Sequence, residues 1–546
     1  MTVVDSPRRP TDHDDRSPDC EWAAFTERGP WVLSPDHISW MPVTERLRAA
    51  ARAEVPQLTE PGRVPRIGRM SVVVWRLGRA VAGWWVRRRL NRYPDAEASR
   101  ADLSRRLRLA IEQLGATYIK LAQIISSGEG LFPAELVNEF KRCRDRVPAE
   151  DFEVVRRTIE ADLGCRLGDV FAHVETDALA AASIAQVHRA RLLDGTEVVI
   201  KVQRPDVARL VRTDLRIMSW LAPHLVGRIP VAALANPPAL VELFAETIVE
   251  ELDFRMEAAN MVDVGRVLRD LGQDGYVVPR PHPSLVGRRT LVMERIDGFN
   301  FDDVDGMHAA GIDTESVIKT GMVAFMEGAL IHGIFHGDLH GGNLMVLPDG
   351  RTALLDFGIT ARLDDDRRRA FLRMMITATT NDLTGQMAAL RDLGALPRDT
   401  DLQAVIRDLR LDQEPIDPTT LTGEEMVAEV QRVVKAMLGY GARMPKELML
   451  YVKNMVFLDG AISRLAPDLD LLAEVASISM MFAQRHGERI MTEIGIDAAR
   501  MQVDLDSVKA GLGVDLSTER LTYRELQERR ALIQKRMRAH VESQRR

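Results

Sequence analysis

Apolar positions recur every three to four residues from Gly68 to about Asp162, which predicts a series of helices. Residues 70–90, MSVVVWRLGRAVAGWWVRRRL, are apolar and aromatic with Arg interleaved. Ser104–Leu114 and Tyr118–Ser127 read as two helices parted by Gly115. Pro133 suits the first turn of a helix ahead of AELVNEFKRCRDRV. Asp151 is placed to cap FEVVRRTIEADLG, which stops at Gly164. The period then shortens. Phe171 to Val202 reads as short strands, and SIAQVHRARL and TEVVIKVQ flank Asp194-Gly195 as a hairpin. Helical patterning returns over Asp206–Leu225 and from Ala239 to about Leu271. Val277-Val278 and Thr290–Arg295 read as strands and Thr314–Gly333 as one long helix. Leu344–Leu347 and Thr352–Leu355 bracket the turn Pro348-Asp349-Gly350, and everything beyond Asp364 reads as helical. Residues 1–20, rich in Pro, Asp and Arg, are expected to be disordered, and residues 21–65 give no assignable pattern.

A chain of 546 residues holds three or four structural units, and 46% hydrophobic with 28% charged residues is the balance of a globular protein. The net charge of −7 gives no sign of a nucleic-acid partner, but it hides a basic window. Residues 61–110 carry 13 Arg and no Lys against Asp95, Glu97 and Asp102, a local excess of +10. Cys20, Cys143 and Cys165 lie far apart without a CxxC pair, so a disulfide framework is not expected and a reducing compartment fits. The N-terminus has no apolar signal-peptide core, and Met70–Val86 is interrupted by Arg76 and Arg79, so no membrane span is expected.

Candidate chemistry concentrates in HGIFHGDLHGGNLMVLPDGRTALLDFG, His332 to Gly358. Asp338 precedes Asn343 by five residues, and Asp356-Phe357-Gly358 follows after a hairpin. Phosphoryl transfer needs a divalent cation beside the transferred group, and Asn343 and Asp356 offer a neutral and a charged oxygen suited to Mg²⁺. Asp338 can orient or deprotonate a hydroxyl or water. A rival arrangement would use His332, His336, Asp338 and His340 as metal ligands. Upstream, Lys201 sits in the strand run VVIKV, where a lysine is costly unless it meets an anion. Glu257 in ETIVEELDFRMEAAN is its expected ion-pair partner, with Glu251 and Asp253 nearby. An alanine-rich stretch, Ala178 to His188, stands where a kinase has its glycine-rich turn. The expected nucleotide contacts are Ala180, Ala181, Ala182, Ser183, Lys201, Glu294 and Ile296. A helix starts near Asp364, leaving no room for a long activation loop.

These motifs resemble the UbiB family, also called ABC1, AarF or ADCK, of atypical protein-kinase-like proteins. The resemblance runs from about Leu114 to Arg362 and rests on AAASIAQVH, VVIKVQRP, ELDFRMEAAN and HGDLHGGN with DFG. The family's KxGQ motif reads here Lys120-Leu121-Ala122-Gln123, and its ExD motif reads Glu251-Leu252-Asp253. The resemblance implies that Lys120 and Gln123 fold over the active site, approach the ExD acids and occlude a protein substrate. Ala122 in place of glycine, and Leu-His-Gly-Gly before Asn343 where the family usually has Pro-His-Pro-Gly, are departures.

The implied fold class is α+β: an atypical protein-kinase-like bilobal fold with an N-terminal helical extension and a helical C-terminal region. The expected units are a disordered or poorly structured segment over 1–65, the extension over 66–170, an N-lobe with inserted helices over 171–296, a C-lobe over 297–400 and a helical region over 401–546. The resemblance implies ATP or ADP with Mg²⁺, ATPase or unorthodox kinase activity, and a role in isoprenoid quinone or lipid metabolism. The expected location is cytoplasmic, with Trp75, Trp84, Trp85 and the neighbouring Arg residues touching anionic lipid at the inner face of the plasma membrane. A helix docked on the protein core with its Arg in solvent is the alternative for that segment. A small-molecule phosphotransferase of the aminoglycoside or choline kinase type, and a nucleotide-binding pseudokinase, are the competing functions.

Overall fold

The computed structural model describes residues 17–60, 67–126, 132–143, 149–225, 237–379, 382–411, 432, 436–437, 439–442, 445–495, 505–511 and 514–532. The disorder expected for residues 1–16 and the last part of the charged tail fall outside them. The strands are β1 (Phe171–Val174), β2 (Ala180–Ala181), β3 (Ala185–Leu192), β4 (Glu197–Gln203), β5 (Tyr276–Val277), β6 (Pro281–Val286), β7 (Thr290–Glu294), β8 (Phe299–Asn300), β9 (Ile334–His336), β10 (Leu344–Val346), β11 (Thr352–Leu354) and β12 (Thr360–Arg362). An antiparallel sheet in the order β1-β3-β4-β7-β6, with β2 on β3, makes the N-lobe. β3 and β4 pair around Asp194-Gly195 as the hairpin signal predicts. In β4 the two-residue alternation sends Val198, Ile200 and Val202 into a core with Val155 and Ile159, leaving Lys201 on the opposite face.

The extension is built of α1 (Thr44–Leu58), α2 (Ile67–Arg89), α3 (Ala96–Leu114), α4 (Ala116–Ser126), α5 (Ala134–Phe140) and α6 (Phe152–Leu163). Asp151 caps α6 by accepting from Glu153 N at 2.8 Å, and Gly164 closes it at φ +73°. The long helix expected from Ala239 to Leu271 is two helices. These are α8 (Pro237–Glu250) and α9 (Phe254–Asp270), which follow α7 (Val207–Leu225). Glu251-Leu252-Asp253 occupies the break, because the Asp253 carboxylate caps α9 by accepting from Arg255 N.

The C-lobe contains α10 (Val304–Ala309), α11 (Thr314–Glu327), α12 (Asp365–Thr379) and α13 (Leu383–Asp392), and the C-terminal helices α14 (Leu402–Leu409), α15 (Lys446–Leu465) and α16 (Leu471–Ile494) follow. The long helix expected over Thr314–Gly333 ends its α-helical part at Glu327 and continues as a π-turn over Gly328–His332. α12 begins seven residues after Gly358, so the short link expected there is present. Phe325, Phe335, Phe371 and Tyr451 form a ring cluster, with Phe371 and Tyr451 centroids 4.8 Å apart, that fixes α15 against the lobe.

Residues 17–60 depart from the poorly structured segment that their composition suggests. Asp19 and Arg280, both fully buried, pair at 2.6 and 2.9 Å. Trp31 and Trp40 donate their indole N–H groups to Pro281 and His282 carbonyls. Ahead of α1, residues 17–43 have no repeating period because their hydrogen bonds go to another part of the chain, so their pattern alone could not reveal them. Sequence reasoning also missed β6, an edge strand holding Pro281 and Pro283, and the three-residue strands β9 and β12.

α2 docks by one side only. Val73 and Ala80 are buried, Trp84 donates to Ser99 Oγ at 3.0 Å, and Arg69 pairs with Asp214 at 2.8 Å. Trp75 and Trp85 stay more than half exposed under Arg79 and Arg89. The segment is packed on the core and keeps an exposed basic aromatic face. No described helix is long and apolar enough to cross a membrane.

Candidate active site

A cavity of about 620 Å³ lies between the lobes and gathers Lys120, Gln123, Ala182, Ser183, Lys201, Glu251, Glu257, Asp338, Asn343 and Asp356. On its N-lobe side, Lys201 meets Glu257 at 2.6 Å and Asp356 at 3.0 Å. Burial alone would discharge Lys201, but the Asp356 and Glu257 carboxylates outweigh it and hold the ammonium charged. Burial pushes Glu257 up to about 7 against the pull of Lys201. Asp356 opens towards the cavity with its side chain 47% exposed, and stands at φ +50°, a backbone state rare for a residue with a Cβ. Its Oδ1 accepts from Gly358 N at 3.1 Å. Phe357 is buried against His336, and its carbonyl accepts from Asn260 on α9 at 3.0 Å. That bond ties the DFG turn to the helix that carries Glu257.

The Asp338–Asn343 loop is anchored on both sides. Asn343 Nδ2 donates to the Asp338 carbonyl at 2.9 Å, which leaves the amide oxygen as the group able to bind a cation. His336 accepts from Asp338 N on Nδ1, so its Nε2 carries the proton and donates to the Asp356 carbonyl at 2.8 Å. With both ring nitrogens committed to backbone, His336 is no metal ligand, and the His332–His336–Asp338–His340 arrangement is not formed. The oxygen set of Asp356 and Asn343 fits Mg²⁺ in type and position on one cavity wall.

The extension reaches the same space. Lys120 Nζ lies 3.1 Å from Glu251 Oε1 and 4.0 Å from Asp338 Oδ2. The Glu251, Asp338 and Asp356 charges hold it protonated despite burial. Ala122 is completely buried and leaves the Lys120–Glu251 pair intact, so the methyl in place of the motif glycine is accommodated. Asp253 is different. It does not line the cavity and pairs with Arg255 at 2.6 Å, so Lys120 approaches only the first acid of Glu251-Leu252-Asp253.

The alanine-rich stretch forms β2 and a tight return, Ala182 N donating to Ala185 O at 2.8 Å. Ala182 and Ser183 line the cavity, whereas Ala180 and Ala181 pair with β3 outside the lining. Arg204 braces the return by donating to Ala182 O at 3.1 Å while pairing with Glu150 at 2.8 Å. Glu294 turns away: its buried carboxylate accepts from Arg280 N and from Thr26 Oγ1, because the Arg280 guanidinium draws the nearby acids. Ile296, two residues past β7, is half-buried and also outside the lining.

One residue of the site was missed. Lys453 on α15 ion-pairs with Asp338 Oδ1, and next to it Asn454 accepts from Leu339 N at 3.0 Å. Burial would raise the Asp338 carboxyl, but Lys453 and Lys120 together hold it well below the usual carboxylate range. The signal was present: Lys453-Asn454 interrupts the apolar run Met449 to Leu458.

A lysine–glutamate pair, an aspartate–asparagine loop and a DFG turn facing one interlobe cavity define a kinase-like protein. Comparison with known proteins narrows this. The ABC1 atypical kinase-like domain matches residues 142–390. An uncharacterised protein of Mycobacterium tuberculosis is 32% identical over 453 residues, covering 81% of this chain and 89% of its own. An aarF domain-containing protein kinase of Arabidopsis thaliana chloroplasts is 33% identical, covering 67% of this chain and 73% of its own. A probable protein kinase UbiB of Vibrio atlanticus is 30% identical, covering 70% of each. The chain belongs to the ABC1 family of atypical kinase-like proteins, to which UbiB and AarF-domain proteins belong.

Proposed function

We propose that this protein is an ATP- and Mg²⁺-dependent phosphotransferase-type enzyme, an ATPase or atypical kinase, that serves isoprenoid quinone or lipid metabolism at a membrane surface. The observation that carries the nucleotide reading is Lys201 bridging Glu257 and Asp356 in the cavity that also holds Asn343 and Asp338. In this reading Ala182 and Ser183 face the phosphates through a stiff return, and Lys201, kept charged and oriented by Glu257, neutralises them. Asp356 and Asn343 hold the magnesium ion, which supplies charge neutralisation on the transferred phosphoryl group. Asp338 orients the attacking hydroxyl or water. Lys120, Gln123 and Glu251, which line the same cavity, would limit access by a protein side chain. The quinone and lipid part rests on relatives named UbiB, and the membrane part on the exposed Trp75 and Trp85 face of α2.

Phosphate release from ATP, measured with and without anionic liposomes and a quinone head-group analogue, tests this reading. Asp356→Asn should lower turnover at least about a hundredfold, as loss of a transition-state charge contact does. Undiminished turnover in that variant would remove the site assignment. Replacing Arg87, Arg88 and Arg89 by Ala should abolish flotation with anionic liposomes, at roughly 1 kcal/mol per surface cation. Equal flotation of both proteins would rule out the membrane role of α2.

A further inference from the structure

Lys453 lies outside the residues matched by the kinase-like domain, yet its ammonium sits on Asp338, inside the cavity that holds Asn343 and Asp356. The loop's own basic residue, His340, lines the same cavity, but it is exposed and its Nδ1 accepts from Gly342 N at 3.1 Å. α15 is locked in place by the Tyr451 ring cluster and by Asn454, which bonds Leu339 N and the His336 carbonyl. Lys453 therefore projects from a rigid base into the cavity at Asp338, whereas Lys201 meets Glu257 and Asp356. Its head group has one carboxylate partner, and that carboxylate already has Lys120 at 4.0 Å on its second oxygen.

An ammonium shared in this way is the group most readily claimed by a strong anion entering beside it. The diphosphate part of a nucleotide is served by Lys201 and the metal ligands Asp356 and Asn343. The end of the phosphate chain that approaches Asp338, where an acceptor would be oriented, is the third phosphoryl group. We propose that Lys453 recognises the terminal phosphoryl group and so distinguishes a nucleoside triphosphate from a diphosphate, a role that rests on the nucleotide reading above. When Lys453 moves its contact to the phosphoryl oxygens, Asp338 loses its closest cation.

The test uses the full chain with Mg²⁺, titrated calorimetrically with ATP and with ADP. Lys453→Met should weaken ATP binding about tenfold, the scale of one charge-assisted hydrogen bond, and leave ADP within twofold. Lys453→Arg should restore most of the ATP preference and guards against a folding defect in the first variant. Equal weakening of ATP and ADP, or no weakening of either, overturns the assignment while leaving the nucleotide site intact. Failure of the unaltered protein to bind either nucleotide overturns the underlying reading and this assignment together.

Discussion

The two sides of the interlobe cavity are made differently. On the Lys201 side, the ion-paired residues come from the kinase-like domain: Lys201 from β4, Glu257 from α9 and Asp356 from the DFG turn. On the Asp338 side, the carboxylate comes from the domain but both cations come from outside it. Lys120 arrives from the N-terminal extension and Lys453 from the C-terminal helical region. The first side is a closed set that orders itself. The second is completed only by docking of helices from both flanks. The difference separates a set held within the domain from one that depends on both flanks.

The comparison can be broken at its strong end first. Lys201→Met should destabilise the fold by about 3–5 kcal/mol, since it leaves buried Glu257 without its cation. Chemical denaturation at pH 7 checks this, and a change below about 1 kcal/mol would mean that the closed set is not what holds this side.

A smaller effect concerns pH. Glu257 is pushed up to about 7 in the fold against an ordinary value near 4.3. A carboxyl raised in the folded state favours folding fully below its unfolded value, and that contribution is lost as pH rises through about 7. The stability of the unaltered protein should therefore fall by about 1–3 kcal/mol from this group between about pH 4.5 and 7. Glu257→Gln should lack that component, and identical pH slopes for the two proteins would contradict it.

The smallest effect lies on the Asp338 side. Lys120→Met should shift the acid limb of turnover upward by roughly half a pH unit to one unit, as Asp338 keeps Lys453 and loses only the more distant cation. A shift larger than that of Lys453→Met would reverse the ranking of the two lysines.

Much of this was legible in the sequence, for identifiable reasons. The β3–β4 hairpin, the α6 cap and the Lys201–Glu257 pair each follow from local rules: a two-residue turn, a side chain reaching two residues on, and a buried cation needing an acid. The break between α8 and α9 was not read, because apolar periodicity continues across Glu251-Leu252-Asp253 and only the capping by Asp253 interrupts it. The same capping explains why the two acids of that motif part company, Glu251 entering the cavity and Asp253 turning to Arg255. Glu294 was misdirected by Arg280, whose partners include Asp19 at the far N-terminus. Lys453 was missed because nothing local links it to Asp338, 115 residues earlier.

The position of α15 also gives the site a timetable. Asn454 serves Leu339 N and the His336 carbonyl, so the loop around Asp338 lacks these partners until α15 has been synthesised. A growing chain would finish the Lys201 grip long before the Asp338 loop is held. On the proposed function, turnover would wait until the C-terminal helices have closed on that loop.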